Sequence, residues 1–340
     1  MKLLVLEYIT GGGMADDLLP DILADAEIMR QAQLRDLADV AGIEVHTLLD
    51  VRLRGKALRG ARVQYVGPEP GAFDAAWRRA LGEADAVWLT APETDGLLET
   101  MSREVQASGC RLLGCTPEAV RVAASKRTTA AALTRAGIAC VPTHADSAAM
   151  TGLANGPVVV KPDDGAGCQH TRCFARAHDA VQWGRTALGA RAIYQPLLRG
   201  EALSLSLLCA EGHARLLSVN RQHVVLRGDA FHFGGVAVGA LPDVDGRYAQ
   251  LAARLAQAVP GLWGHVGVDL LATPEGLVVV EINPRATVAY ADLRFALDFN
   301  PAAALLDLPR LPPMAPRKAG ALTSPHSTNT PERDHVGETA

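Results

Sequence analysis

Several things are missing from the 340 residues, and each absence narrows the answer. No stretch approaches the roughly 20 consecutive apolar residues that a bilayer span needs, so a membrane helix is excluded. There is no basic excess: Lys and Arg number 33 against 37 Asp and Glu, for a formal charge of −4. A nucleic-acid binder would carry a cationic footprint that this chain lacks. No C-x-x-C pair occurs among Cys110, Cys115, Cys140, Cys168, Cys173 and Cys209, which argues against a disulfide framework. Cys168, His170, Cys173 and His178 fit no common zinc spacing. The apolar opening is interrupted by Glu7 and no cleavage-site pattern follows, so a cytoplasmic protein is expected. A Ser–His–Asp or Cys–His pattern for covalent catalysis is also absent.

What is present is a globular balance of 49% hydrophobic and 21% charged residues, with length for two or three domains. The first third alternates strand and helix. LLVLE (3–7), IEVHTLL (43–49), AVWLT (86–90) and RLLG (111–114) read as strands. Apolar periodicity predicts helices over 20–41 and near 93–108. Alternating β and α units imply a parallel sheet covered by helices, a Rossmann-like unit over 1–115. Thr116-Pro117 then opens a helix, Thr as cap and Pro at its first position.

The remainder has a different rhythm. Helices are expected over 126–136, 178–188 and 247–259. PVVVKP (157–162) is a strand entering the glycine loop DDGAG, and long antiparallel strands follow: AIYQPLL, ALSLSLLCA and HARLLSV. The whole is α/β plus α+β, with units at 116–190 and 191–309 and a disordered tail over 310–340 rich in Pro, Ser and Thr.

The most informative segment is GVDLLATPEGLVVVEINP. Thr273-Pro274-Glu275-Gly276 suits a type I turn closed by a left-handed glycine, a three-residue hairpin loop with a G1 bulge. In that register numbers summing to 550 face each other, so Asp269 opposes Glu281, and Asn283 shares their face. Val268, Leu270, Val278, Val280 and Ile282 form the expected core face. Two opposed carboxylates repel unless a cation or proton joins them, and a hard oxygen set of this kind suits Mg²⁺.

GVDLL…VVVEINPR resembles the metal-binding end of the ATP-grasp superfamily of carboxylate–amine ligases. Three further segments agree in order: Ser125-Lys126, VVVKPDDGAGCQHT and YQPLLRGEALSLSLL, so that the resemblance covers about 116–300. It implies a pre-ATP-grasp domain followed by a two-subdomain grasp that binds ATP with Mg²⁺ or Mn²⁺. By that resemblance Asp269, Glu281 and Asn283 hold the metal, and Lys126 and Lys161 reach the nucleotide phosphates. Gly165 and Gly167 turn backbone N–H groups toward anionic oxygens. Gln195 and the backbone of Leu198 meet the adenine, and Glu201 the ribose. Arg285 follows the metal ligands and suits a phosphate or substrate carboxylate; Arg221 is expected to share that cationic duty, since Gly267 stands where the D-alanine ligase branch has an arginine. Cys168 replaces the Ser or Gly common in the family. His223 and His265 read as structural residues.

Glu7, Gly12 and Gly13 follow the first strand, where open α/β sheets bind ligands, and are expected to line the amine substrate. LEYITGGG, KPDDGAGC, SVNRQ and EINPR together are similar to the tyramine–glutamate ligase branch, which serves the biosynthesis of methanofuran-type C1 carriers. The expectation is therefore an ADP-forming ligase acting on a small-molecule carboxylate and amine, glutamate with tyramine or tyrosine, with a second copy of the chain as partner. A D-alanine–D-alanine-like or other amino-acid ligase, and a non-catalytic ATP-binding regulator, are the alternatives.

Overall fold

The computed structural model describes residues 1–14, 18, 20–55, 60–145, 156–165, 167–308 and 322–323. The expected tail falls outside the described residues apart from Leu322–Thr323. The first part alternates β1 (Lys2–Glu7), α1 (Pro20–Ala38), β2 (Glu44–Asp50), β3 (Ala61–Val66), α2 (Ala72–Glu83), β4 (Ala86–Thr90), α3 (Leu97–Ala107) and β5 (Arg111–Leu112). Every pairing in its sheet is parallel, in the order β3-β2-β1-β4-β5. The order reverses at β1 and β4, so their carboxyl ends flank the crevice where such sheets receive ligands. Strand β3 and helix α2 escape the sequence reading. The pattern of β3 is half-buried at an edge, and its charged and polar residues blur the apolar signal.

The second part begins with α4 (Pro117–Ala124), whose Thr116 cap accepts from the Ala119 amide as expected, and α5 (Lys126–Arg135). There follow β6 (Val158–Pro162), β7 (Arg172–Phe174), α6 (Ala177–Ala187), β8 (Ala192–Pro196), β9 (Glu201–Ala210), β10 (His213–Arg227) and β11 (Ala230–Leu241). The chain continues through α7 (Arg247–Ala258), β12 (Gly264–Thr273), β13 (Gly276–Asn283), α8 (Tyr290–Ala296) and α9 (Pro301–Leu306). Their sheet is antiparallel, ordered β13-β12-β9-β10-β11-β7-β6-β8, with Leu322–Thr323 added beside β11. Strand β10 runs well beyond HARLLSV, and β11 was not expected; two glycines interrupt its alternation at Gly234-Gly235. No helix among the described residues is long and apolar enough to cross a membrane.

The apolar cores run across both sheets. Leu3, Val5 and Trp88 of the first pack with Leu208 and Val238 of the second and with Tyr290 and Leu293 of α8. His265 sits in this seam, stacked on Trp88 at 5.7 Å and edge-on to Tyr290 at 4.8 Å. Its Nε2 lies 3.1 Å from the Pro301 carbonyl, which fits a neutral ring donating one hydrogen bond. It is structural, as expected.

Burial pushes the His265 imidazole down to about 4, partly opposed by the Pro301 bond. Between that value and the ordinary 6.5 the unfolded chain holds the extra proton. His265 therefore contributes fully above pH 6.5, and its contribution is lost as the pH falls toward 4. The size is about 3 kcal/mol. Urea unfolding of the wild type and of His265→Phe at pH 7.5 and 4 should show a loss smaller by that amount in the variant. An unchanged loss would remove His265 from the account.

Candidate active site

Strands β12 and β13 bring the two carboxylates together. Asp269 pairs with Glu281, and Gly267 with Asn283, as read from the sequence. The route to that register differs. At the tip Thr273 pairs with Gly276, leaving a two-residue loop, and the register slips by one between Asp269 and Leu270. The extra residue is Val280, a bulge beside the carboxylates and not a G1 bulge at the turn. The core face changes accordingly. Val279 and Ile282 are buried with Val268 and Leu270, while Val278 and Val280 stay half-buried.

Lysines arrive from two other elements. Lys126 at the start of α5 and Lys161 near the end of β6 are only 6% and 7% exposed, which excludes a solvated-surface role for either. Lys126 Nζ stands 3.0 Å from Glu281 Oε2 and donates to the Gly165 carbonyl at 2.5 Å. One residue ties these elements together. The Asp163 carbonyl accepts from the Lys126 amide at 3.0 Å, its Oδ1 from the Arg127 amide at 2.9 Å, and its Oδ2 from Ser125 Oγ at 2.7 Å. Ser125 in turn caps α5 through the Thr128 amide. Gly167 and Cys168 follow with φ of +63° and +60°, so the loop runs through the left-handed region at two successive residues.

Electrostatics divide the carboxylate pair. Burial and the neighbouring Glu281 charge hold Asp269 well above the usual carboxylate range. Burial would raise Glu281 as well, but Lys126 and Lys161 outweigh it and hold that group at about 2. Lys161 is itself brought down to about 8, by burial and then by Lys126, against the pull of Glu281. The two carboxylates are thus pushed apart, Asp269 upward and Glu281 downward. Gln222 Nε2 donates to Asp269 Oδ1 at 2.9 Å, and Asn283 Nδ2 stands 3.5 Å from Oδ2. Among the described residues no three His, Cys, Asp or Glu side chains gather as a metal cage. Two carboxylates and one amide fit a hard cation whose other ligands come from phosphates and water.

The remaining expected residues divide. Arg285 is partly buried and paired with Glu93 from the first part, Nε to Oε1 at 2.9 Å and Nη2 to Oε2 at 3.0 Å. Gln195 is buried and donates to Thr143 Oγ1 at 2.8 Å; Leu198 lies half-buried just beyond β8. Glu201 and Arg221 form a half-exposed ion pair at 2.5 Å. Arg221 pairs with Leu203, one residue from the Ser204 that opposes Asp269, so it lies on the other face of the sheet. The expected cationic duty beside the carboxylates is thus not where Arg221 stands; its neighbour Gln222 reaches them instead. Glu7 is also committed elsewhere. Its carboxylate accepts from the Ile9 amide at 3.2 Å, the Thr10 amide at 2.7 Å and Thr10 Oγ1 at 2.6 Å. These bonds shape the turn over Ile9–Gly13, closed by the Gly13 amide on the Tyr8 carbonyl at 3.0 Å. Glycines suit that turn on packing grounds, since a Cβ on Gly12 would strike Val66 and one on Gly13 the Tyr8 ring.

Three groups were not read from the sequence: Gln222, Glu93 and a buried amide, Asn220. Asn220 Oδ1 accepts from Ser218 Oγ and the Gly239 amide, and its Nδ2 donates to Ser204 and Ser206. The alternation in ALSLSLL was the available signal: Ser204 and Ser206 lie two apart, on the face that carries Asp269.

Comparison with known proteins bears on the family and the fold. Residues 123–289 match the ATP-grasp domain and residues 43–120 the pre ATP-grasp 3 domain. The tyramine–L-glutamate ligases of Methanocaldococcus jannaschii and Methanocaldococcus fervens are each 26% identical, over 65% and 62% of this chain. The matched regions span 61% and 62% of those relatives. The structure of an ATP-grasp superfamily protein from Archaeoglobus fulgidus superimposes with a TM-score of 0.69 at 22% identity, covering 90% of this chain and 88% of that one. At that identity the likeness is one of fold.

The raised Asp269 carboxyl sets a test. A divalent cation and a proton compete for the same oxygens, so Mg²⁺ binding should strengthen as the pH rises. Calorimetric titration with Mg²⁺ at a series of pH values measures this directly. Affinity that does not change with pH would remove Asp269 from the cation site.

Proposed function

The chain belongs to the ATP-grasp family, and from that premise we propose that it is an ATP-dependent carboxylate–amine ligase. The observation that carries this reading is the set of half-buried Asp269 and Glu281 with buried Lys126 and Lys161, gathered from β12, β13, α5 and β6. Such a set binds and neutralises nucleotide phosphates and offers no nucleophile of its own, which suits phosphoryl transfer. The γ-phosphoryl group passes from ATP to a substrate carboxylate oxygen, and ADP leaves. An amine nitrogen then attacks the acyl carbon, phosphate departs, and the nitrogen loses its proton as the amide forms.

In this reading Asp269, Glu281 and Asn283 hold Mg²⁺ or Mn²⁺, which would neutralise charge on the phosphate oxygens. Lys126, Lys161 and the backbone of Gly165 and Gly167 hold the phosphates; Gln195 and Leu198 border the adenine. Arg285 faces the acyl group, held by Glu93 until substrate competes for it. Glu201 turns to the ribose by exchanging Arg221 for a hydroxyl. We further propose glutamate as the acid and tyramine or tyrosine as the amine. The names of the two Methanocaldococcus relatives support that pair. The parts at 1–115, 116–190 and 191–309 are proposed as the functional units, with the cleft between the last two receiving ATP.

The test is to incubate the chain with MgATP, glutamate and tyramine or tyrosine, and to follow ADP and the mass of the new amide. ADP with amide supports the reading; AMP with pyrophosphate would sink it. Asp269→Asn and Glu281→Gln should each lower turnover by about 1000-fold, the scale of removing one preorganised electrostatic group. Both side chains lie off the core face, so the far-UV spectrum should be unchanged.

A further inference from the structure

Gln222 takes no part in the chemistry proposed above, although its Nε2 donates to Asp269 Oδ1 at 2.9 Å. The two residues come from strands that do not touch. Asp269 stands on β12 and Gln222 on β10, with β9 between them. The registers align Asp269 with Ser204 and Ser204 with Asn220, so Gln222 lies two residues along β10 on the same face. Two strand spacings alone come to about 9.6 Å. Only a long side chain covers that distance. Shortening it by one methylene, about 1.5 Å, would carry the contact beyond hydrogen-bond reach. The residues of β9 on this face, Ala202 and Ser204, are small and leave the crossing open.

The backbone of β10 is irregular at this point. Its ladder with β11 slips between Val219 and Arg221 and again between Gln222 and Val224, on either side of Gln222. Irregularities of this kind re-aim side chains beside a site. The preceding residue, Arg221, lies on the other face and pairs with Glu201. Position 222 therefore brings a neutral donor to a site that already holds Lys126 and Lys161, where a further cation would oppose a metal ion. With Oδ1 taken by Gln222, the second oxygen of Asp269 is the one that stands beside Asn283, 3.5 Å from its Nδ2.

We infer that Gln222 is a positioning residue of the cation site: by holding Asp269 Oδ1 it fixes the carboxylate, so that a divalent cation meets a preset oxygen beside Asn283. The inference rests on the reading of Asp269, Glu281 and Asn283 as cation ligands. A partner behind a metal ligand sets that ligand's orientation, and its removal weakens metal binding.

The affinity of a non-hydrolysable ATP analogue, measured by calorimetry with excess Mg²⁺ and again with EDTA, gives the gain that the metal brings. Comparing variant with unaltered chain cancels what Mg²⁺ does to the analogue in solution. Gln222→Met removes the donor at nearly constant length and should cut this gain by about 10-fold or more, with the metal-free affinity unchanged. A general loosening of the fold would lower both affinities. Gln222→Asn, still neutral and polar but too short, should match it and serves if the Met variant fails to fold. In an Asp269→Asn background Gln222→Met should cost nothing further, because it acts through that carboxylate. A gain kept in both Gln222 variants, an equal fall with and without metal, or a full additional loss in the double variant would overturn the inference. No gain from Mg²⁺ in the unaltered chain would remove the cation site and this role together. A gain lost on substitution, in a chain that forms no amide, would uphold the role and remove the ligase reading.

Discussion

The arrangement depends on one ion pair, Lys126 to Glu281, made between the start of a helix and the last strand of the second sheet. Without the lysine, Asp269 and Glu281 would be two facing carboxylates in a half-buried site, and the pairing of β12 with β13 would set like charges opposite each other. With it, Glu281 is held below the usual carboxylate range while Asp269 is held above it, and Lys161 finds a countercharge in the same place. Asp163 makes the contact reproducible, because it anchors the first turn of α5 to the end of β6. The lysines are thus not two independent surface charges but one assembly, delivered by two elements that Asp163 ties together.

A second set of contacts closes the site from the side of the first sheet. Arg285 reaches Glu93, and Asp164 accepts from the Asp95 amide at 3.0 Å. Both bonds join the segment after β4 to the second part, one at the end of β13 and one in the loop that follows Lys161. The first part is therefore a wall of the site as well as a neighbour, and the apolar seam around Trp88, His265 and Tyr290 holds that wall in register.

Much of this was legible in the sequence, for reasons that can be named. Thr116-Pro117 and Ser125-Lys126 announce helix starts because a capping hydroxyl is a local signal. The parallel sheet is legible from its buried strands β1, β2 and β4, whose apolar runs are nearly continuous. What sequence could not show depends on contacts distant along the chain. Gln222 and Arg221 are adjacent, and only the register with β9 decides which of them meets Asp269. Glu7 looked available because its bonds to Ile9 and Thr10 depend on a turn with no simple residue signature. Strand β11 was missed because glycines break the alternation by which strands are recognised.

The bulge at Val280 separates two parts of one hairpin that would otherwise move together. In an uninterrupted pair, adding or removing a residue at the tip turns every side chain beyond it to the opposite face. Here an odd residue lies between the tip and Asp269, so the count at the turn and the count at the carboxylates are independent. A three-residue loop with regular strands and a two-residue loop with the bulge both place Asp269 opposite Glu281. The hairpin thus has a phase break built into it: the alignment of the carboxylates is set by the bulge and the turn together, not by the length of the tip around Pro274-Glu275 alone.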